Sequence, residues 1–324
     1  MQLSPAQLDL LRRFEQGLDP REPERSLIPA KVLGYGEIST VFAIDGGGLE
    51  GLAFKRMPLF HDDAEIQAYQ ATYQEYCQLL QQEVGLRLPA HGFASFTTQA
   101  GRPIFYIIQH RLPAPSIGNQ ALHLLPPNQV YLLVRLVLQQ LHRVWDYNEG
   151  QTRFELGIDG QISNWCLDSF DPYSPSVDKT CALTYFDTST PFCRIEGVEQ
   201  LDHELFTRSA PWFLAWILRL LFLEDVVNRY YDFRRVVIDL VANFYKEGCP
   251  ELIPGVLEVV NGFFGSEAAG LSIQPIDAEE VRSYYREDAL IWTLYLSFRR
   301  IDRWLRTKLL RRDYPYILPG KIKR

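Results

Sequence analysis

Between Ala30 and Met57 short apolar runs alternate with glycine-bearing turns. Val32-Leu33 leads into Gly34 to Thr40, then Val41-Phe42-Ala43-Ile44, a turn at Asp45-Gly46-Gly47-Gly48, and Leu52-Ala53-Phe54-Lys55. Turn residues between β-favouring runs predict strands joined as hairpins. Ahead of them, Ser4-Pro5 followed by Leu8, Leu11 and Phe14 predicts an N-capped helix with proline in its first turn, closed by the linker Asp19 to Glu24. Asp62 to Leu86, rich in Ala, Gln, Glu and Leu, predicts one long helix. Two further strands are expected near Gly92 to Thr97 and Ile104 to Gln109. Beyond Pro113 the pattern turns helical: Val130, Leu133, Val134, Val137, Leu138 and Leu141 recur at helical spacing within Asn128 to Trp145. Further helices are expected over Trp212 to Asn228, Phe233 to Tyr245 and Val281 to Leu310. A strand-rich first third before a helical remainder predicts an α+β chain of two lobes, hinged near Gln109 to Pro113.

Composition changes this picture little. With 324 residues, 47% hydrophobic and 13% aromatic, the chain can bury one large core or two modest lobes. A net charge of -7 speaks against a general nucleic-acid binder, whose affinity comes largely from Lys and Arg at phosphates. Five cysteines without paired short spacing, behind a polar and charged N-terminus, lead us to expect a reduced, cytoplasmic setting and no structural zinc. The most apolar run, Trp212 to Val227, contains Arg219, Glu224 and Asp225 and falls short of the roughly 20 residues of a membrane span; it reads as a buried helix.

Four segments carry candidate chemistry. Gly34-Tyr35-Gly36-Glu37-Ile38-Ser39-Thr40-Val41 joins two predicted strands, and glycine there lets the backbone approach a phosphate. Lys55 closes the apolar run Leu52-Ala53-Phe54, a setting in which an ammonium needs an anion or carboxylate. Glu75, on the following helix, is the expected partner. Glu65 and Glu83 lie on the same helix, but Glu75 leaves two helical turns before the Leu86-Pro89 exit. Ile158-Asp159-Gly160-Gln161-Ile162-Ser163-Asn164 sets an Asp and an Asn five apart in a loop, where Asp159 can face a phosphoryl acceptor and Asn164 a hard cation that requires oxygen ligands. Ala182 to Phe186 predicts an apolar strand ending in Asp187, suited to be the main metal ligand.

In this order the segments resemble the protein-kinase-like superfamily, and within it the aminoglycoside and choline phosphotransferase branch. The resemblance spans roughly Ala30 to Pro191. It implies a bilobal fold with a small β-rich lobe carrying one long helix and a larger, mainly helical lobe. We therefore expect an N-terminal helical extension over residues 1–29, a small lobe over 30–109 and a large lobe over 110–324. The Gly34 to Val41 loop is similar to the glycine-rich loop, with Ser39 in place of the third glycine, and implies nucleotide contacts from Gly34, Gly36, Ser39 and Val41. Lys55 and Glu75 resemble its ion pair. Ile107 to Pro113 is similar to the inter-lobe linker, whose backbone groups at Gln109, His110 and Arg111 would meet adenine. Asp159 resembles the catalytic Asp, and Asn164 and Asp187 the magnesium ligands. Three positions depart from the pattern. Gly157 stands two residues before Asp159 where a His is usual. Thr188-Ser189 rather than Phe-Gly follows Asp187, and a proline-containing insert, Asp168 to Lys179, lengthens the approach to it.

The implied function is ATP- and Mg2+-dependent phosphoryl transfer to a hydroxyl of a small molecule. A nucleotide-binding pseudokinase with a regulatory or scaffold role is the alternative that the missing His motivates. Transfer of another part of ATP, such as AMP, is compatible with the same motifs. From Arg299 onward ten Lys/Arg face only Asp302 and Asp313, beside a stripe of Ile291, Leu294, Phe298, Ile301, Leu305 and Leu309. That helix would either pack its stripe on the lobe or make a weak contact with an anionic surface.

Overall fold

The computed structural model describes residues 1–36, 39–98, 101–202, 204–208 and 227–320. Helix α1 (Pro5–Gly17) opens on Ser4, whose side chain accepts from Gln7 N while the Gln7 side chain accepts from Ser4 N, a capping box that fixes its start. Strands β1 (Ala30–Tyr35), β2 (Thr40–Ile44), β3 (Leu52–Met57), β4 (His91–Thr97) and β5 (Pro103–His110) form one antiparallel sheet in the order β1-β2-β3-β5-β4. Between β3 and β4 runs α2 (Asp63–Gln78), capped by Asp62 on Glu65 N and continued by a π-helical turn over Leu79–Glu83.

The two-residue period of a strand sorts side chains between the sheet faces. Phe54 of β3 and Ile104, Tyr106 and Ile108 of β5 join Leu11 and Phe14 of α1 in one core. Met57, Phe105 and Ile107 point the other way and pack with Ile66, Tyr69 and Tyr73 of α2. Lys55 and Arg56, adjacent in sequence, therefore face opposite sides. Arg56, on the α1 side, is buried with Glu15, which receives Nε and Nη2 at 2.7 Å each; its Nη1 donates to Pro315 O at 2.8 Å, and Tyr106 OH also donates to Glu15.

The large lobe is built on α4 (Pro127–Glu149), α6 (Phe233–Lys246), α7 (Ile253–Phe264) and α8 (Ala278–Trp304); the short helix α3 (Gly118–Ala121) precedes α4, and the short helix α5 (Glu204–Arg208) falls between α4 and α6 in the chain. A π-helical turn, Leu305–Leu309, extends α8. Strand β6 (Phe154–Leu156) pairs with β9 (Cys193–Ile195), which also pairs with β10 (Val198–Glu199); β7 (Trp165–Leu167) pairs with β8 (Leu183–Tyr185). The fold is thus the two-lobed α+β arrangement expected. The helix expected over Trp212 to Asn228 lies mostly outside the described residues. Helix α7 was not anticipated: Pro254, Gly255 and Gly262 mask its periodicity, although Gly255 packs against the Tyr131 ring, where a Cβ would stand 2.4 Å from it.

One expected boundary does not hold. The segment assigned to the end of the large lobe returns to the small one, where Tyr314, Tyr316 and Leu318 pack with α2 and Ile317 with α1. The N-terminal extension likewise contributes Leu11 and Phe14 to the small lobe's core. Among the described residues no helix is long and apolar enough to cross a membrane.

Candidate functional site

The site lies where β3 of the small lobe meets the ends of the β7–β8 ribbon. A single row of paired residues crosses the sheet, Gly34 opposite Val41, Val41 opposite Lys55 and Lys55 opposite Ile107. The glycine-bearing loop is thereby placed directly beside Lys55. Gly36 N donates to Ser39 O at 3.0 Å, closing the turn. A Cβ on Gly36 would stand 2.8 Å from Ser39 Oγ, so glycine is what permits this closeness. Glu37 and Ile38 lie outside the described residues.

Lys55 Nζ donates to Asp187 Oδ1 at 2.5 Å and to Ser189 Oγ at 2.8 Å, and Ser189 Oγ donates to the same carboxylate oxygen at 3.0 Å. The expected Lys55–Glu75 pair is not formed. Glu75 is exposed, because the face of α2 turned inward carries Tyr69, Tyr73 and Tyr76. Their hydroxyls take over the docking: Tyr69 OH donates to Ser189 O at 2.6 Å, Tyr73 OH bonds Thr188 Oγ1 at 2.7 Å, and Tyr76 OH donates to Gly157 O at 2.9 Å. Of the two alternative acids, Glu65 is engaged by Arg208 at 2.6 Å and Glu83 is exposed.

Asp187 follows β8 and Asn164 precedes β7, and the pairing of Trp165 with Tyr185 puts them at the same end of the ribbon. Phe186 N donates to Asn164 O at 3.1 Å and Asn164 Nδ2 to Asp159 O at 3.2 Å, so Asp159, Asn164 and the segment carrying Asp187 share one hydrogen-bond network. Burial would raise the Asp187 carboxyl, but Lys55 and Ser189 hold it below its ordinary value. Asp159 shifts the other way: burial first, then the charges of Asp239 and Asp187, push it up to about 7. Gln161 N donates to Asp159 Oδ1 at 3.2 Å, and Gln161 Nε2 to Asp239 Oδ2 at 3.0 Å.

Carboxylate and amide oxygens at Asp187 and Asn164 are the hard donors that Mg2+ requires, and both are anchored from behind by backbone. The residues fit such an ion. From the linker, Gln109 Nε2 reaches Phe186 O at 3.4 Å, directly before Asp187. His110 is exposed at the end of β5, and Arg111 N donates to Gly51 O at 2.8 Å, so that N–H is engaged within the small lobe rather than held open for a base.

The absent His has a packing explanation. A Cβ on Gly157 would lie 2.9 Å from Tyr230 O and 3.0 Å from Phe192 Cβ. Gly157 N and Ile158 N also donate to Phe192 O and Tyr230 O. Restoring the usual residue, Gly157→His, is expected to destabilise the protein by about 1–3 kcal/mol through overpacking; thermal unfolding checks this, and an unchanged midpoint would contradict the packing argument.

Sequence reasoning missed Ser189, Thr188, the three tyrosines of α2 and Asp239. The i, i+4, i+7 spacing of Tyr69, Tyr73 and Tyr76 was the available signal: one helix face lined by hydroxyls rather than by an acid.

The sequence model of a family described as a family of unknown function (DUF6206) matches residues 22–303. No curated protein matches the chain. Among solved structures the chain is similar to WaaP in complex with acyl carrier protein, at 18% identity and a TM-score of 0.32, covering 75% of this chain and 96% of that one. It is also similar to the GDP complex of wild-type aminoglycoside 2'-phosphotransferase-IIIa, at 11% identity and a TM-score of 0.30, covering 73% and 92%. A third similarity is to a mutant of the Mycobacterium tuberculosis PknI kinase domain, at 14% identity and a TM-score of 0.27, covering 49% and 58%. The two-lobed α+β layout itself rests on the sheet order and on the contact between Lys55 and Asp187.

Proposed function

The chain belongs to the DUF6206 family, and we propose that its inter-lobe site transfers the terminal phosphoryl group of ATP, with Mg2+, to a hydroxyl of a small molecule. The observation that carries this reading is the meeting of Lys55, from the middle of the small sheet, with Asp187, 132 residues later at the end of β8. Lys55 would hold phosphate oxygens by charge, and the Gly34–Val41 backbone beside it would cover them. Asn164 and Asp187 would hold Mg2+, which when bound supplies charge neutralisation at the phosphates. Asp159, with its pKa pushed up to about 7, suits a group that accepts the acceptor's hydroxyl proton near neutral pH. Rate enhancement in such a site comes from positioning and electrostatics.

One observation favours a second reading, a nucleotide-binding pseudokinase. No acid of α2 engages Lys55 among the described residues, and the lysine is instead bound to Asp187 and Ser189. The two readings separate in one experiment: transfer of label from Mg·ATP to pooled cell metabolites by wild type, Asp159→Ala and Asp187→Ala. Labelled product from wild type alone is the expected result. Nucleotide binding without any product would favour the pseudokinase, and a folded protein that binds no nucleotide would sink both.

A further inference from the structure

Away from the cleft, on the α1 side of the small lobe, lies a half-open cavity of about 900 Å³. Its walls come from α1 and the loop after it, from the β4–β5 hairpin, and from the end of α8 with the segment that follows. Six arginines line it: Arg12, Arg21, Arg102, Arg303, Arg311 and Arg312. Glu15 and Arg56 also reach it but neutralise one another. Asp19 and Asp313 are the remaining acids, so six guanidinia against two carboxylates leave four positive charges uncompensated.

Among the described residues none of the six guanidinia has a hydrogen-bonded acid; Arg12 rests over the Phe96 ring at 5.4 Å. Arg102 is half-buried, and burial, with Arg56 and Arg306 nearby, pulls its pKa below the usual arginine value despite the opposing Tyr316 and Asp313. A second recess of about 680 Å³ shares Arg102, Arg311 and Arg312 with the first. Folding has gathered like charges from three separate parts of the chain around one space, and an anion entering it relieves their mutual repulsion. Guanidinium forks match phosphate oxygens in pairs. An excess of four charges suits several phosphates rather than one carboxylate, and the volume is that of a small-molecule site.

We propose that this cavity binds a compact anion bearing several phosphates, separate from the nucleotide site. Its arginines belong to α1, to the hairpin and to the C-terminal segment, so occupancy fastens both chain ends to the small lobe. Arg56, the neighbour of Lys55 on β3, lines the same cavity and links it to the cleft strand.

Titration calorimetry with sodium tripolyphosphate, without divalent cations, tests the proposal on wild type, Arg12→Gln/Arg311→Gln, Arg102→Gln and Lys55→Met. Arg12 and Arg311 are exposed, so their replacement leaves the fold intact. The expected result is saturable binding that weakens at least about tenfold in the double variant and in Arg102→Gln, through loss of charge-assisted contacts, and persists in Lys55→Met. Sedimentation with phosphatidylcholine vesicles containing a phosphatidylinositol bisphosphate identifies the source. Co-sedimentation lost in the double variant assigns the phosphates to a lipid headgroup; tripolyphosphate binding without co-sedimentation assigns them to a soluble ligand. Absence of binding to either probe overturns the proposal, as does binding that survives every arginine substitution or disappears only in Lys55→Met.

Discussion

Glu15→Ala is expected to lower the free energy of unfolding by about 3–5 kcal/mol, the cost of stranding a buried charge. Arg56 and Glu15 are each only 4% exposed and share a two-pronged ion pair. Without Glu15 the guanidinium keeps Pro315 O and the uncharged Tyr106 hydroxyl as neighbours but no counter-charge, and Tyr106 OH loses its carboxylate acceptor. The loss should also loosen both chain ends, because α1, β3, β5 and the C-terminal segment all meet at this cluster. Removing both charges with residues of similar size, as in Glu15→Leu/Arg56→Met, should recover most of the stability, since such a pair contributes little beyond what well-packed apolar groups supply. Urea denaturation of the three proteins checks this. A loss below about 1 kcal/mol in Glu15→Ala would show that water reaches Arg56 and that the burial argument fails.

The second large effect is on turnover. Asp187→Asn is expected to reduce phosphoryl transfer about a thousandfold or more, as loss of a group that orders transition-state charge does. The fold should survive, because this ion pair is partly open to solvent, with side-chain exposures of 18% for Lys55 and 36% for Asp187. The same variant has a signature in pH. Wild-type Asp159 has its carboxyl pushed up to about 7 by burial and by Asp239 and Asp187, against about 4 in an unfolded chain. The folded state therefore binds that proton more tightly than the unfolded state does. Its contribution is most favourable below about pH 4 and is lost as pH rises through about 7. Neutralising residue 187 removes one source of repulsion, so the fall in unfolding midpoint between these pH values should become shallower in metal-free buffer. Near wild-type turnover in Asp187→Asn would remove this residue from the proposed chemistry. An unchanged pH slope would show that Asp187 does not act on Asp159.

Part of the site was legible from residue types and spacing. Lys55 stood out because an ammonium within an apolar strand needs an anion, and it has one. Asp159 and Asn164 stood out as oxygen ligands five apart in a loop, and Asp187 as an acid ending an apolar strand; the β7–β8 pairing draws these three into one network. The partner of Lys55 was not legible. Three acids of the expected long helix, Glu65, Glu75 and Glu83, competed for it, and the answer depended on the rotation of α2 about its own axis, which the aromatic core against β5 sets. Tyr69, Tyr73 and Tyr76 occupy the inward face, leaving Glu75 exposed. The departure at Gly157 became intelligible only with Tyr230 and Phe192 in place beside it, residues distant in sequence.

Local regularities were determined by the sequence alone. Hairpins in the first third, the capped first helix, the long α2 and the amphipathic α4 follow from turn chemistry, caps and periodicity, all of which act over a few residues. The α+β division into two lobes follows from their order. Tertiary structure alone decided what depends on contacts across the chain: that α1 and Tyr314 to Leu318 complete the small lobe, that Arg56 and Glu15 meet in its core, and that six arginines from three separate parts of the chain line one cavity. Strand period places Lys55 and Arg56 on opposite faces from sequence. Which charge waits on each face is settled only when segments 41 and 132 residues apart are packed together.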